Sequence, residues 1–169
     1  MAEQQGFQIF RLHDAPLLQD TDVQPVTTEL TPEEAELWGR KIEAGYSLGQ
    51  EARVVIRTPS LSILHIWNKP GYPTPLHSHD VDCLYFVVGG TVRVATEDLR
   101  PGDSFFIPAD VPYTYKVGSE GAEVLEIRQA ENWDLKLLAK NPAYFTNAVQ
   151  AITAHVEGWR TAERPSRKE

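Results

Sequence analysis

The sequence predicts a mainly β chain, a barrel or sandwich of short strands with one packing helix on either side. Three observations carry that prediction. Between residues 52 and 129, short runs rich in Val, Ile, Tyr and Phe alternate with Gly, Pro and Asp turns, the rhythm of an all-β sandwich or barrel. Thr31-Pro32-Glu33-Glu34 opens an amphipathic helix before this region, and Asn141-Pro142 opens another after it. At 169 residues the chain suits a single domain with terminal extensions.

Residues 1–49 read as an N-terminal extension. Residues 7–12 alternate loosely and predict an edge strand. Thr31 supplies a helix cap, Pro32 fits the first helical position where no N–H is needed, and Glu34 completes a capping box. The helix is predicted over 32–46, with Ala35, Trp38, Ile42 and Gly45 or Tyr46 on its apolar face.

The barrel is predicted over 50–130, with strands at 53–57, 61–67, 83–88, 91–95, 104–107, 113–117 and 123–128. Gly89-Gly90 reads as a hairpin turn. Residues 131–160 form a C-terminal helical extension in which Phe145, Val149, Ile152, Val156 and Trp159 share one face. That face is expected to pack on the barrel or on a second subunit. Residues 161–169 mix charge signs, carry a proline and lack large apolar side chains, which predicts a disordered tail.

A net charge of −8 argues against nucleic acid or an anionic membrane as partner, because attraction to phosphate needs a basic surface. Cys83 is the single cysteine, so there is no internal disulfide, in keeping with a reducing compartment. No stretch approaches the roughly 18 apolar residues of a membrane span, and the first residues do not form a leader. The expectation is a soluble, cytoplasmic protein.

His77 and His79 stand one residue apart on a predicted strand. Side chains on a strand alternate between faces, so the two imidazoles project the same way, about 7 Å apart along the chain, and can converge on one ion. That is half of a metal site.

Gly71, five residues, His77-x-His79, three residues, Cys83, six residues and Gly90 form a pattern that resembles the first motif of the cupin superfamily. Gly102, five residues and Pro108, within Pro101-Gly102-Asp103 and Ile107-Pro108-Ala109, resemble the second. The resemblance implies a double-stranded β-helix, or jelly-roll barrel, holding a divalent transition metal (Fe, Zn, Cu, Mn or Ni) in its mouth. The family's usual ligands are two histidines and a glutamate from the first motif and a histidine from the second. His77 and His79 match. Cys83 occupies the glutamate position, Tyr113 the last histidine position, and Asp110 replaces the glycine that follows the motif's proline.

These replacements leave several arrangements open. Cys83 as thiolate can join His77 and His79 in a soft site suited to zinc or copper. Alternatively Cys83 is inert, and Glu126 completes a two-histidine, one-carboxylate face of the non-haem iron type, unless it pairs with Arg128. The metal can also be absent, leaving a pocket for an organic ligand. Resemblance to the thiol dioxygenases of the superfamily adds a cysteine cross-linked to Tyr113 or Tyr115.

Tyr113 reads as phenolate ligand, hydrogen-bond donor or general acid. Tyr85 shares the inward parity of the histidines, and His65 is placed inward with Ile63 and Trp67. With Tyr115 and Arg128 they form the candidate pocket. Asp80 and Asp82 point away as turn-stabilising groups. The leading functional expectation is a metal-dependent small-molecule enzyme of oxygenase (dioxygenase included), lyase or isomerase type. The alternative is a non-catalytic cupin binding a small organic ligand. A homodimer is expected from the resemblance.

Overall fold

The computed structural model describes residues 6–167. Helix α1 (Pro32–Glu43) starts as predicted. Thr31 Oγ1 accepts from Glu34 N at 3.3 Å, and Thr31 N donates to Glu34 Oε2 at 2.8 Å. It stops three residues early, and a 3-10 turn over Tyr46–Gly49 follows. Its buried face is rotated from the predicted one. Trp38 and Lys41 are buried, while Ile42 is 54% exposed. The lysine takes the inward place because its amine finds partners there. Lys41 Nζ donates to Tyr144 Oη at 2.6 Å and stands 3.6 Å from the Tyr46 ring centre and 4.3 Å from that of Trp38.

Strands β1 (Gln50–Thr58), β2 (Leu61–Asn68), β3 (His77–Ser78), β4 (Cys83–Val94), β5 (Glu97–Leu99), β6 (Ser104–Ile107), β7 (Lys116–Arg128) and β8 (Lys136–Leu137) follow. All pair antiparallel, in the order β1-β2-β7-β4-β5 with β6 also on β4, while β3 pairs with β8 in a separate two-stranded sheet. Residues 6–10 form no strand, contrary to the predicted edge strand. Phe7 there is 93% exposed.

Gly89-Gly90 is not a hairpin turn. β4 runs straight through it, and the ladder to β7 slips on either side of the pair, so the glycines make an irregularity inside one long strand. Gly90 has φ +70°, and a Cβ there would stand 2.0 Å from the Gly121 carbonyl oxygen. The reversal comes instead at Ala95-Thr96, between Val94 and its partner Glu97. The predicted strand 113–117 is largely absent, Tyr113 making only an isolated bridge to His77.

The barrel core gathers one side of each strand: Leu64 and Ile66 of β2, Cys83, Tyr85 and Val87 of β4, and Val124 of β7. This parity corrects the placement of His65, which lies on the opposite face of β2 together with Trp67. His65 Nε2 meets Glu123 Oε1 there at 3.0 Å, outside the barrel. Helix α2 (Pro142–Trp159), capped by Asn141, buries Phe145, Ala148, Ile152 and Trp159. These pack within the chain against Trp38, Tyr46 and Tyr72, so the face offered to a second subunit is already covered.

The predicted disordered tail docks as far as residue 167, the last two residues lying outside the described ones. Ser166 N donates to Glu123 Oε2 at 2.8 Å, and Arg164 Nη2 to Glu51 Oε1 at 2.5 Å. Its charges have acceptors on the sheet, which composition alone does not reveal. No described helix is long and apolar enough to cross a membrane.

Candidate active site

Two segments flank and fix His77. Strand β8 pairs with it on one side through Leu137. On the other, His77 N donates to Tyr113 O at 3.1 Å and Tyr113 N to His77 O at 2.9 Å. This exchange sets the His77 ring 4.3 Å from the Tyr113 ring and 5.1 Å from that of His79. Asp80 and Asp134 clamp the next turn, each side chain accepting from the other's backbone N–H at 2.9 Å. Asp82 accepts from Ala109 N at 2.8 Å, so both acids serve the backbone, as their parity implied. Asp110, with φ +60°, accepts from Lys136 Nζ at 2.6 Å.

The Nδ1 of each imidazole faces a backbone carbonyl, Pro75 O at 2.9 Å for His77 and Asp134 O at 2.6 Å for His79. A carbonyl only accepts, so Nδ1 carries the proton and Nε2 presents its lone pair. Burial depresses the pKa of both rings. His79 falls to about 4, with the Arg128 cation adding to the effect of burial, so the rings are neutral near pH 7.

His77, His79, Tyr115, Glu126, Ile66 and Tyr72 line a chamber of about 100 Å³. Leu18, Gln24, Tyr46, Gln50, Tyr72 and Leu135 wall both this chamber and an outer cavity of about 560 Å³. A small inner room therefore opens into a wider vestibule built by the N-terminal extension. The Tyr115 hydroxyl accepts from Asn68 Nδ2 at 2.9 Å, which leaves its own proton to donate. Burial pushes the Tyr115 pKa up, so that proton stays in place.

Behind the chamber, Glu126 Oε2 lies 2.7 Å from Arg128 Nη2, both side chains buried, and the guanidinium stacks 4.4 Å from the Trp133 ring. The Tyr85 ring stacks on Phe105 at 4.4 Å, and its hydroxyl hydrogen-bonds that of Tyr113. Burial drives the Tyr113 pKa well up. Tyr113 is turned toward Tyr85, outside the chamber walls, and its backbone positions His77.

A resident divalent ion needs three or four protein donors, and the residues here do not fit one. Burial pushes the Cys83 thiol up to about 12, so without a metal beside it the thiol keeps its proton near neutral pH. Glu126 is taken by Arg128, a cation that would repel a second. Among the described residues no three His, Cys, Asp or Glu side chains gather as a metal cluster. The structure thus brings together His77, His79, Tyr115 and Glu126, places Tyr85, Tyr113, Cys83 and Arg128 behind them, and leaves His65 out. The chamber residues missed by sequence reasoning include Ile66, Tyr72, Thr74 and Gln50. The signal for Ile66 was the strand parity that His65 was wrongly assigned.

Residues 68–128, which hold both histidines, Glu126 and Arg128, match the family model described as the cupin domain. KdgF from Halomonas sp. has a similar structure, with a TM-score of 0.50 at 18% identity over 73% of this chain and 94% of its own. The polyketide cyclase RemF from Streptomyces resistomycificus reaches a TM-score of 0.56 at 14% identity over 87% of this chain and 99% of its own. At these identities the likeness is one of fold. No curated protein matches the sequence.

Proposed function

The barrel of this chain being a cupin domain, we propose that it is a small-molecule enzyme that moves a proton within its substrate, a lyase or isomerase working without a resident metal. The observation that carries this reading is the pair of imidazoles whose Nδ1 atoms are tied to backbone carbonyls, so that both Nε2 lone pairs stand ready on residues that line the chamber. In this reading one Nε2 accepts a proton from a C–H or O–H of the substrate, and the Tyr115 hydroxyl donates to the oxygen on which charge develops. The small chamber keeps bulk water from the reacting atoms, while the vestibule holds the rest of the substrate.

The test is solvent exchange. A panel of enolisable oxo acids and hydroxylated aromatic compounds is incubated with the protein in D2O and followed by proton NMR. Deuterium enters at least one compound with the native protein and none with His77→Gln. If compounds bind and no exchange occurs, the chain is a non-catalytic ligand-binding cupin and this reading falls. Elemental analysis of protein purified without chelator runs beside it. One transition-metal ion per chain, lost in His77→Ala and His79→Ala, would replace this reading by a metal-dependent one, for which carbonyl-anchored imidazoles are also suited.

A further inference from the structure

We propose that Glu126 selects what enters the chamber: it accepts from the uncharged, hydroxyl-bearing end of a substrate, a diol or an α-hydroxy carbonyl, and turns carboxylates away. The proposal rests on the reading of that chamber as the substrate site and adds the chemical class of what fills it. Strand β7 carries Glu126 inward between Leu64 of β2 and Tyr85 of β4. The residue lines the chamber and is only 5% exposed. Its Oε2 lies 2.7 Å from Arg128 Nη2, yet the guanidinium N–H groups do not point to it. Among the described residues the carboxylate therefore accepts no hydrogen bond.

The ion pair balances the charge and leaves the carboxylate lone pairs unmet, which is costly for a buried acceptor. Nearby donors have other partners. The Tyr85 and Tyr113 hydroxyls bond each other, the Thr74 hydroxyl donates to Tyr115 O, and Gln50 Nε2 donates to Asn68 Oδ1 at 2.8 Å. His77 and His79 add two more acceptors at Nε2, against the free proton on Tyr115. The wall is rich in acceptors, so whatever fills the chamber has to bring protons.

Hydroxyl groups bring them. A carboxylate brings only further acceptors, and its charge meets the like charge of Glu126 before it meets the guanidinium behind. A chamber of about 100 Å³ holds about three water-sized groups, which suits two adjacent oxygens and the carbons that bear them. A hydroxyl held by Glu126 and a neighbouring oxygen held by Tyr115 leave the carbon between them to the imidazoles. A charged group elsewhere on the substrate stays in the vestibule.

Titration calorimetry with matched trios of probes tests the selection: hydroxyacetone, methoxyacetone and pyruvate, then catechol, 1,2-dimethoxybenzene and salicylate. In at least one trio the hydroxyl compound binds the native protein tenfold or more tightly than both its ether and its acid. Glu126→Gln replaces a charged acceptor by a neutral one. It weakens the hydroxyl compound about tenfold, leaves the ether unchanged and tightens the acid. Because Glu126→Gln leaves Arg128 without a counter-charge, Glu126→Gln with Arg128→Met is measured beside it and shows the same weakening. Should neither variant fold, the native trios decide. Equal binding of hydroxyl compound and ether, tighter binding of the acid, binding of none, or a preference that survives Glu126→Gln overturns the proposal. Deuterium exchange without hydroxyl preference would sink this selection and spare the proton-transfer reading, and hydroxyl preference without exchange would do the reverse.

Discussion

His65 Nε2 lies 3.0 Å from Glu123 Oε1 across the β2–β7 ladder, on the side of the sheet turned away from the chamber. The other oxygen of Glu123 accepts from Ser166 N, so one carboxylate joins the sheet to the C-terminal segment.

Burial raises the Glu123 pKa, but hydrogen bonds from His65 and Ser166 outweigh it and bring the group down to about 2. A carboxyl whose pKa falls on folding stabilises the fold above its ordinary value near 4.5 and loses that contribution as the pH drops toward 2. Glu123→Gln should cost about 1–3 kcal/mol at pH 7, with the gap to the native protein narrowing in urea melts taken from pH 5 to 2. The same variant should be cut more readily by protease between residues 161 and 167.

Lys41 carries the opposite sign. Burial drops its pKa to about 6 from an ordinary 10.5. Between those values the unfolded chain holds a proton that the folded one lacks, so this group's contribution to stability rises with pH across the window. Lys41→Met should melt at a higher temperature than the native protein at pH 7, although it loses the bond to Tyr144. The gain should shrink as the pH approaches 10.5, readable from thermal melts at several pH values.

Gly90→Ala forces a Cβ to within 2.0 Å of a backbone carbonyl oxygen at positive φ. It should destabilise by at least about 2 kcal/mol. Gly102→Ala, at φ +99° with open space around the new carbon, should cost about 1 kcal/mol. Equal losses in chemical denaturation would show that the crowding against Gly121 is relieved by movement of the strands.

Tyr85→Phe or Tyr113→Phe alone strands one buried hydroxyl and should cost about 1–3 kcal/mol. The double variant should lose less than the sum, because both groups leave together. A double-mutant cycle measured by urea unfolding gives the coupling directly.

The barrel was legible because its signals are local. Alternating apolar runs, the two glycine-proline motifs and both helix caps are each written within a few residues. The histidine pair was legible for the same reason, since strand alternation alone sets its common direction. What escaped depends on partners far away in the chain. His65 was given the wrong face because the inward side of β2 is decided by Val124 and its neighbours on β7. Lys41 turns inward against its polarity because Tyr144, 103 residues later, supplies an acceptor. Cys83 read as a possible ligand because nothing nearby in sequence announces how deeply the barrel buries its thiol. The tail read as disordered because Glu51 and Glu123 lie far upstream of Arg164 and Ser166.

The four tryptophans stand in four different places. Trp38 meets Phe145 between the helices at 5.3 Å, Trp67 lies 5.6 Å from the Arg164 guanidinium at the C-terminal segment, Trp133 carries Arg128, and Trp159 meets Tyr72 at 6.1 Å. Variants that keep one indole at a time would give the molecule four separate fluorescent gauges. The one at Trp133 would brighten or dim when the arginine it carries changes company, and the one at Trp67 would do so when the C-terminal segment lifts. Filling of the chamber and release of the tail could then be timed independently in the same protein.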